Sequence, residues 1–327
     1  MNILLILGSW STERDVSLNT GAMIEKALLR LGHTVFRFDP ERSLNGLIAA
    51  AKKADFAFIA LHGAPGEDGL IQAMLDTVGC PYQGSGPAGS FLALNKAAAK
   101  ELLRQNGLPT PDWVLLPRRP EPGWTPPFAF PLFIKSNIGG SSLGLERVTG
   151  PEGLDAALDR LFSGGGEYIV EPAVDGVEVT CGVLESPEGG IKALPPILIQ
   201  PKTAAREGEF FDYVAKYTPG AADEICPAPL PEAVTARVQE LSLAAHRILG
   251  LADYSRSDFI VRGDGEPVFL EVNTLPGMTA NSLLPKAAAV TGMSFEQLIG
   301  HLITLGLRKS ASGGQGGDPL ATPIGTR

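Results

Sequence analysis

The chain has 327 residues, 44% hydrophobic and 19% charged, enough apolar material for two or three domains of ordinary size. A net charge of −9 argues against a general nucleic-acid-binding surface but leaves room for a local cationic pocket that takes phosphates. No stretch approaches the about 20 apolar residues of a membrane helix, the N-terminal apolar run is too short and too uncharged for a signal peptide, and three irregularly spaced cysteines (Cys80, Cys181, Cys226) suit reduced packing residues of a cytoplasmic protein.

In chain order, Ile3–Leu7 is a continuous apolar run ending at Gly8, as in a buried parallel strand. Helical spacing over Ser17–Leu31 stops at Gly32. Thr34–Phe38 predicts a strand, Leu44–Lys53 a helix and Phe56–Leu61 a third strand. This alternation implies a parallel α/β layer, with ligands at the C-terminal ends of its strands. Two polar loops occupy those ends, Gly8–Asp15 and the run from His62 to Gly69. Glu13 and His62 are therefore candidates for substrate contact, against the plainer reading of each as a loop or capping residue.

Tyr82–Pro87 is turn-rich, and one helix is expected from about Ser90 to Gln105, carrying Lys96. Pro131–Lys135 predicts a strand with a lysine at its end, followed by the glycine- and serine-rich Ser136–Gly144. Glycines let backbone N–H groups close on an anion and serines add donors, so a phosphate cover competes with a flexible hairpin loop. Glu152–Phe162 predicts a helix, and Tyr168–Pro172 and Val177–Leu184 two strands, with Glu171 and Glu178 flanking the turn between them. Ile191–Ile199 is strand-like. A long polar loop with an aromatic centre, Phe210–Thr218, runs from Pro201 to Cys226. Loops of that length tend to carry function or stay disordered. Pro231–Leu249 and Phe295–Leu307 predict helices, and the chain from Lys309 is linker-like.

The densest chemistry lies between those last helices. Asp253–Arg262 and Phe269–Asn273 predict two strands joined by Gly263-Asp264-Gly265-Glu266, and Asp-Gly is the preferred pair for a two-residue hairpin loop. That register sets Asp258 opposite Glu271 and Arg256 opposite Asn273, all four side chains on one face. Two carboxylates and a carboxamide are hard oxygen ligands that suit Mg²⁺ beside substrate phosphates. The alternative is a solvent-facing side of an edge hairpin.

Joint occurrence of several stretches resembles the D-alanine–D-alanine ligase family of the ATP-grasp superfamily. They are Ser11-Thr-Glu-Arg-Asp-Val-Ser17, His62-Gly-Ala-Pro-Gly-Glu-Asp-Gly69, Tyr82-Gln-Gly-Ser-Gly86, Ile134-Lys135 with Gly140-Ser-Ser-Leu-Gly144, Phe211-Asp-Tyr-Val-Ala-Lys-Tyr217, and Glu271-Val-Asn-Thr-Leu-Pro-Gly-Met-Thr279 with Ser282-Leu283. The resemblance runs from Gly8 to Gly292. It implies an α/β (α+β ATP-grasp) fold: a Rossmann-like N-terminal domain over 1–88, a central ATP-grasp subdomain over 89–184, a C-terminal ATP-grasp subdomain with the metal site over 185–309, and a disordered tail over 310–327. It implies that Lys96, Lys135 and Ser142 hold ATP phosphates, that Glu171 reads the adenine region and Glu178 the ribose, and that Asp258, Glu271 and Asn273 hold two Mg²⁺ (or Mn²⁺) ions. Glu13 and His62 would position the first D-alanine, Arg256 and the Gly277 N–H would form an oxyanion hole, and Ser282 with Leu283 would take the carboxylate of the second D-alanine. Ser141, Tyr217 and Glu13 would link the closing loops, with Lys216 near the phosphate. A homodimer in the cytoplasm is the family expectation.

Three residues depart from the family pattern: Asn95 before Lys96 in place of Asp, Pro172 after Glu171 in place of Lys, and Asn281 before Ser282 in place of His. Tyr217 stands where D-alanine–D-lactate ligases carry His, which points to a dipeptide product. The competing readings are a carboxylate–amine ligase with another acceptor, an ATP-binding protein without catalysis, and simple small-molecule binding by the N-terminal layer. The last leaves the hairpin face unexplained.

Overall fold

The computed structural model describes residues 1–139, 144–201 and 222–313. Strands β1 (Asn2–Ile6), β2 (Thr34–Phe38) and β3 (Phe56–Ile59) form a parallel sheet in the order β2-β1-β3. Ile3, Leu4, Leu5 and Ile6 are fully buried, as a central parallel strand covered on both faces requires. The helix Arg14–Arg30 begins three residues before the expected Ser17. The helix expected over 44–53 is three short pieces, Pro40–Ser43, Leu44–Gly46 and Leu47–Ala51, opened by Asp39, whose side chain accepts from Glu41 N.

A four-stranded antiparallel sheet follows, in the order β4-β7-β5-β6, from β4 (Val114–Leu116), β5 (Leu132–Ser136), β6 (Leu145–Val148) and β7 (Tyr168–Pro172). The helix Leu154–Phe162 seals it, with Leu154, Ala157, Leu158 and Leu161 buried. The remaining strands are β8 (Val177–Glu185), β9 (Ile191–Ala193), β10 (Ile197–Pro201), β11 (Ala222–Ile225), β12 (Tyr254–Val261) and β13 (Pro267–Asn273). They make a six-stranded sheet in the order β11-β10-β8-β12-β13, with β9 beside β8. Its inner face packs on the helix Glu232–Ile248 through Val238, Leu241 and Ala245.

Several expectations change. The single helix over 90–105 is two, Pro87–Leu94 and Lys96–Gln105, because Asn95 leaves the helical conformation and caps the second, its Oδ1 accepting from Ala98 N at 3.0 Å. The strand over 191–199 divides into β9 and β10, and the expected loop from Pro201 ends in strand β11. The last helix runs Phe295–Gly313, so the segment expected to loosen after Lys309 starts as helix. Strand β8 pairs with β10 and β12, which places the segment before Leu184 in the middle of the six-stranded sheet. Leu298, Ile299, Leu302 and Ile303 of the last helix are buried in one cluster with Ile3–Leu7, Phe56 and Phe58. The first layer is therefore completed by the helix Phe295–Gly313.

Candidate active site

The hairpin β12–β13 is the centre of the site. Arg256 pairs with Asn273 and Asp258 with Glu271, as the sequence predicts, yet the path is different. The loop is three residues, Gly263-Asp264-Gly265, closed by Arg262 N donating to Glu266 O at 3.1 Å, with Gly265 at φ +88°. That shifts the outer register so that Val261 faces Pro267 and Phe259 faces Phe269. A bulge at Leu270 restores it, and Asp258 meets Glu271 after all.

On this face Arg256 donates to Asp258 through two nitrogens, Nε to Oδ1 at 3.0 Å and Nη2 to Oδ2 at 2.9 Å. Thr180 of β8 donates to Asp258 Oδ1 at 2.5 Å, and Asn273 Nδ2 to Oδ2 at 3.3 Å. Lys96, the first residue of its helix, sets Nζ 3.4 Å from Glu271 Oε2 and donates to the carbonyl of Gly139. A cleft opens here, lined by Glu67, Lys96, Gly139, Glu271, Asn273 and Thr274. Among the described residues no group of three His, Cys, Asp or Glu side chains gathers to hold a metal. A cation here would depend on two carboxylates, the Asn273 carboxamide and oxygens of a bound phosphate. That oxygen-only donor set, on neighbouring strands beside a lysine, fits Mg²⁺.

Two loops of the N-terminal layer face the hairpin. Glu13 precedes the helix Arg14–Arg30, its N–H held by Ser11 Oγ at 3.1 Å, and its side chain is buried beside Gly63. A Cβ on Gly63 would stand 3.0 Å from Glu13 Oε2 and 2.8 Å from Ser11 Oγ, so the site requires glycine there, at φ +67°. Burial pushes the Glu13 carboxyl up to about 8, the negative charges of Glu67 and Glu271 add to this, and Lys96 opposes it. His62 is buried with Nε2 3.1 Å from Thr20 Oγ1, and burial reinforced by Arg256 holds its ring down to about 4. Glu67, which motif reasoning left without a role, accepts from Gly63 N at 2.9 Å and from the backbone of Leu275, joining the loop at His62 to the end of the hairpin.

After the hairpin, Ser282 Oγ accepts from Thr279 N at 3.0 Å and sits at the start of the helix Leu283–Val290, whose first residue is Leu283. A Cβ on Gly277 would meet Ser282 Oγ at 3.0 Å. Gly277 and Ser282 thus pack together at the start of this helix, whose free backbone N–H groups suit carboxylates and oxyanions. Arg256 stands opposite Asn273 on the strand that leads into this loop.

Lys135 and Glu171 lie on adjacent strands, with Nζ 2.7 Å from Oε2 across the diagonal of the β5–β7 pair. Burial alone would raise the Glu171 carboxyl, but Lys135 and Lys100 outweigh it and hold it below the usual range. Glu178 is on β8 in the six-stranded sheet, paired with Ile260 and Ile199, so Glu171 and Glu178 flank the passage from one sheet to the other. Ser141, Ser142, Lys216 and Tyr217 lie outside the described residues.

Family models agree with this layout. A model described as D-ala D-ala ligase C-terminus matches residues 102–304, and one described as D-ala D-ala ligase N-terminus matches residues 40–85. The chain belongs to the D-alanine–D-alanine ligase family. Among curated members it is 65% identical over 307 residues to the D-alanine–D-alanine ligase of Oleidesulfovibrio alaskensis, covering 94% of this chain and 97% of that one. The ligase of Nitratidesulfovibrio vulgaris is 62% identical over 94% of this chain and 98% of its own. A crystal structure of the Bacillus anthracis D-alanine–D-alanine ligase complexed with ATP superposes with a TM-score of 0.82 at 33% identity, covering 96% of this chain and 99% of that one. A D-Ala:D-Ser ligase from Enterococcus faecalis superposes at 0.77 with 28% identity over 93% and 98% of the two chains. The α/β architecture, one parallel sheet followed by two antiparallel ones, is that of the ATP-grasp ligases of this family.

Proposed function

We propose that this chain joins two D-alanine molecules into D-alanyl-D-alanine, with ATP converted to ADP and phosphate, as a step in supplying the peptidoglycan precursor. The observation that carries the reading is the hairpin face of Arg256, Asp258, Glu271 and Asn273, followed along the chain by the packed Gly277–Ser282 loop, in a chain of this family. A carboxylate oxygen of the first D-alanine attacks the γ-phosphorus, ADP departs and an acyl phosphate forms. The amine of the second D-alanine then attacks the acyl carbon, giving a tetrahedral oxyanion. Phosphate leaves as the C–N bond is kept, and the amine gives up its proton to the departing phosphate or solvent.

Each step assigns work to groups in the site. Lys96 and Lys135 offset charge on the phosphates. Arg256 and Gly277 N–H donate to the oxyanion, an interaction whose loss typically costs about 3–4 kcal/mol of barrier. Glu13 takes the ammonium of the first D-alanine, His62 shapes its pocket, and Ser282 with the helix start at Leu283 takes the carboxylate of the second. Glu178 and Glu171 serve the nucleoside end. Asp258, Glu271 and Asn273 would hold Mg²⁺ or Mn²⁺, two ions on the family pattern, which when bound would neutralise charge on the transferred phosphoryl group. Ser141, Ser142, Lys216 and Tyr217 complete the site as loop residues on this reading, and Tyr217 favours the amide over the ester product.

Three free thiols suit a cytoplasmic location, and among the described residues no helix is long and apolar enough to cross a membrane. A homodimer is the assembly the family pattern suggests, and light scattering would test it. The functional test is ADP release from ATP and Mg²⁺ with D-alanine, with L-alanine, and with D-alanine plus D-lactate, products being weighed by mass spectrometry. D-Alanine-dependent ADP with the dipeptide as product is expected. ADP formation without D-alanine dependence would overturn the reading, and an ester product at neutral pH would overturn the part assigned to Tyr217.

A further inference from the structure

The helix Lys96–Gln105 carries two lysines one turn apart on one face. Lys96 turns to Glu271 of the six-stranded sheet, at 3.4 Å. Lys100 is fully buried and ion-paired with Oε1 of Glu171 in the four-stranded sheet. Lys135 holds the other oxygen of that carboxylate at 2.7 Å. Trp113 lies alongside, its ring centroid 5.5 Å from Lys100 Nζ and 4.6 Å from Arg104 Cζ, and Asp112 is the further charge that acts on Lys100. A lysine without solvent exposure is rare and costly in lost hydration, and it persists only where a partner needs it. No step of the reaction described above uses Lys100.

We propose that Lys100 is a positioning residue for ATP: by holding one oxygen of Glu171 it fixes that carboxylate so that the other aims Lys135 into the phosphate cleft. This rests on the assignment of Lys135 and Glu171 to the nucleotide. The three groups form a Lys–Glu–Lys chain with one net positive charge, and the surplus charge is what Lys135 offers to phosphate. Without Lys100 the buried carboxylate has one cation to balance it, and the Lys135 ammonium is held to Glu171. The D-alanine sites, built from Glu13, His62 and the Gly277–Ser282 group, are on other elements. The effect therefore falls on ATP and spares D-alanine.

The experiment compares the full chain with Lys100→Met, Glu171→Gln, their double variant and Lys135→Met, reading kcat and the KM values for ATP and D-alanine, with thermal melts to report folding. Lys100→Met is expected to raise KM for ATP by about tenfold or more and to leave KM for D-alanine within about twofold. In the Glu171→Gln background, adding Lys100→Met should change KM for ATP by less than about twofold, because both act through one contact. If Lys100→Met does not fold, Lys100→Gln and the double variant, which removes the Lys100–Glu171 ion pair as a whole, carry the same comparison. An unchanged KM for ATP, or effects of Lys100 and Glu171 that simply multiply, overturns the role of Lys100. An unchanged KM for ATP in Lys135→Met instead overturns the nucleotide assignment beneath it.

Discussion

Nε2 of His62 lies 3.1 Å from the hydroxyl of Thr20, in a buried pocket that keeps the ring neutral. An unfolded His takes its proton near 6.5, whereas this one waits until about 4. Unfolded chain therefore binds the extra proton across that window, and stability is full above pH 6.5 and falls as the pH drops toward 4. Between pH 7.5 and 5.5 this site should withdraw about 1.4 kcal/mol. Urea titrations of the parent and His62→Gln at both pH values measure it. Equal losses in the two proteins would remove His62 as the source.

Glu13 titrates in the opposite sense. Its carboxyl, pushed up to about 8 by burial, stays protonated at neutral pH, and a bound ammonium would favour the ionised form. D-Alanine binding should therefore release close to one proton at pH 7 and about a quarter of one at pH 8.5. Calorimetry in two buffers of different ionisation enthalpy counts the protons. Uptake, or no release at pH 7, would mean that Glu13 does not meet the ammonium.

Gly277 has 3.0 Å of clearance to Ser282 Oγ for a Cβ, tighter than ordinary contact. Gly277→Ala should push the hydroxyl and its own N–H apart by a few tenths of an ångström. Misplaced groups at a reacting centre cost up to about 100-fold in rate. We expect kcat to fall about tenfold or more and KM for ATP to hold within about twofold. An unaltered kcat would take Gly277 N–H out of the oxyanion hole.

Asn273 is the one neutral member of the set assigned to Mg²⁺, so Asn273→Ala removes an oxygen without stranding a charge. The Mg²⁺ concentration for half-maximal activity should rise by about tenfold. Mn²⁺ binding followed by electron paramagnetic resonance should weaken in step. If both titrations match the parent, the ion is held elsewhere.

Much of this architecture is legible in the residues, and the failures have physical causes. Pairing of Asp258 with Glu271 follows from an assumed two-residue turn, but the turn has three residues and the bulge at Leu270 cancels the error. Alternation of polar and apolar positions is unchanged by a compensated pair of irregularities, so nothing in the pattern reveals them. Apolar spacing also runs on through Asn95, which hides a helix break that only its capping hydrogen bond explains. Lys100 is silent because a lysine four residues after another looks like the solvated side of a helix. Its burial depends on Glu171, which arrives from a distant strand. Glu67 is similar: its partners are the backbones of Gly63 and Leu275, and a backbone leaves no trace in side-chain chemistry.

The helix Phe295–Gly313 shares its core with strand β1, and its Gly306 packs so closely on Tyr82 that a Cβ would clash with the Tyr82 carbonyl oxygen. Synthesis runs from the N-terminal side at about 5–20 residues per second. The layer of strand β1 leaves the ribosome before the helix and therefore waits roughly 10–50 seconds for it. Through that interval part of its apolar surface has no intramolecular cover, and the nascent chain offers it to whatever chaperone attends the exit site.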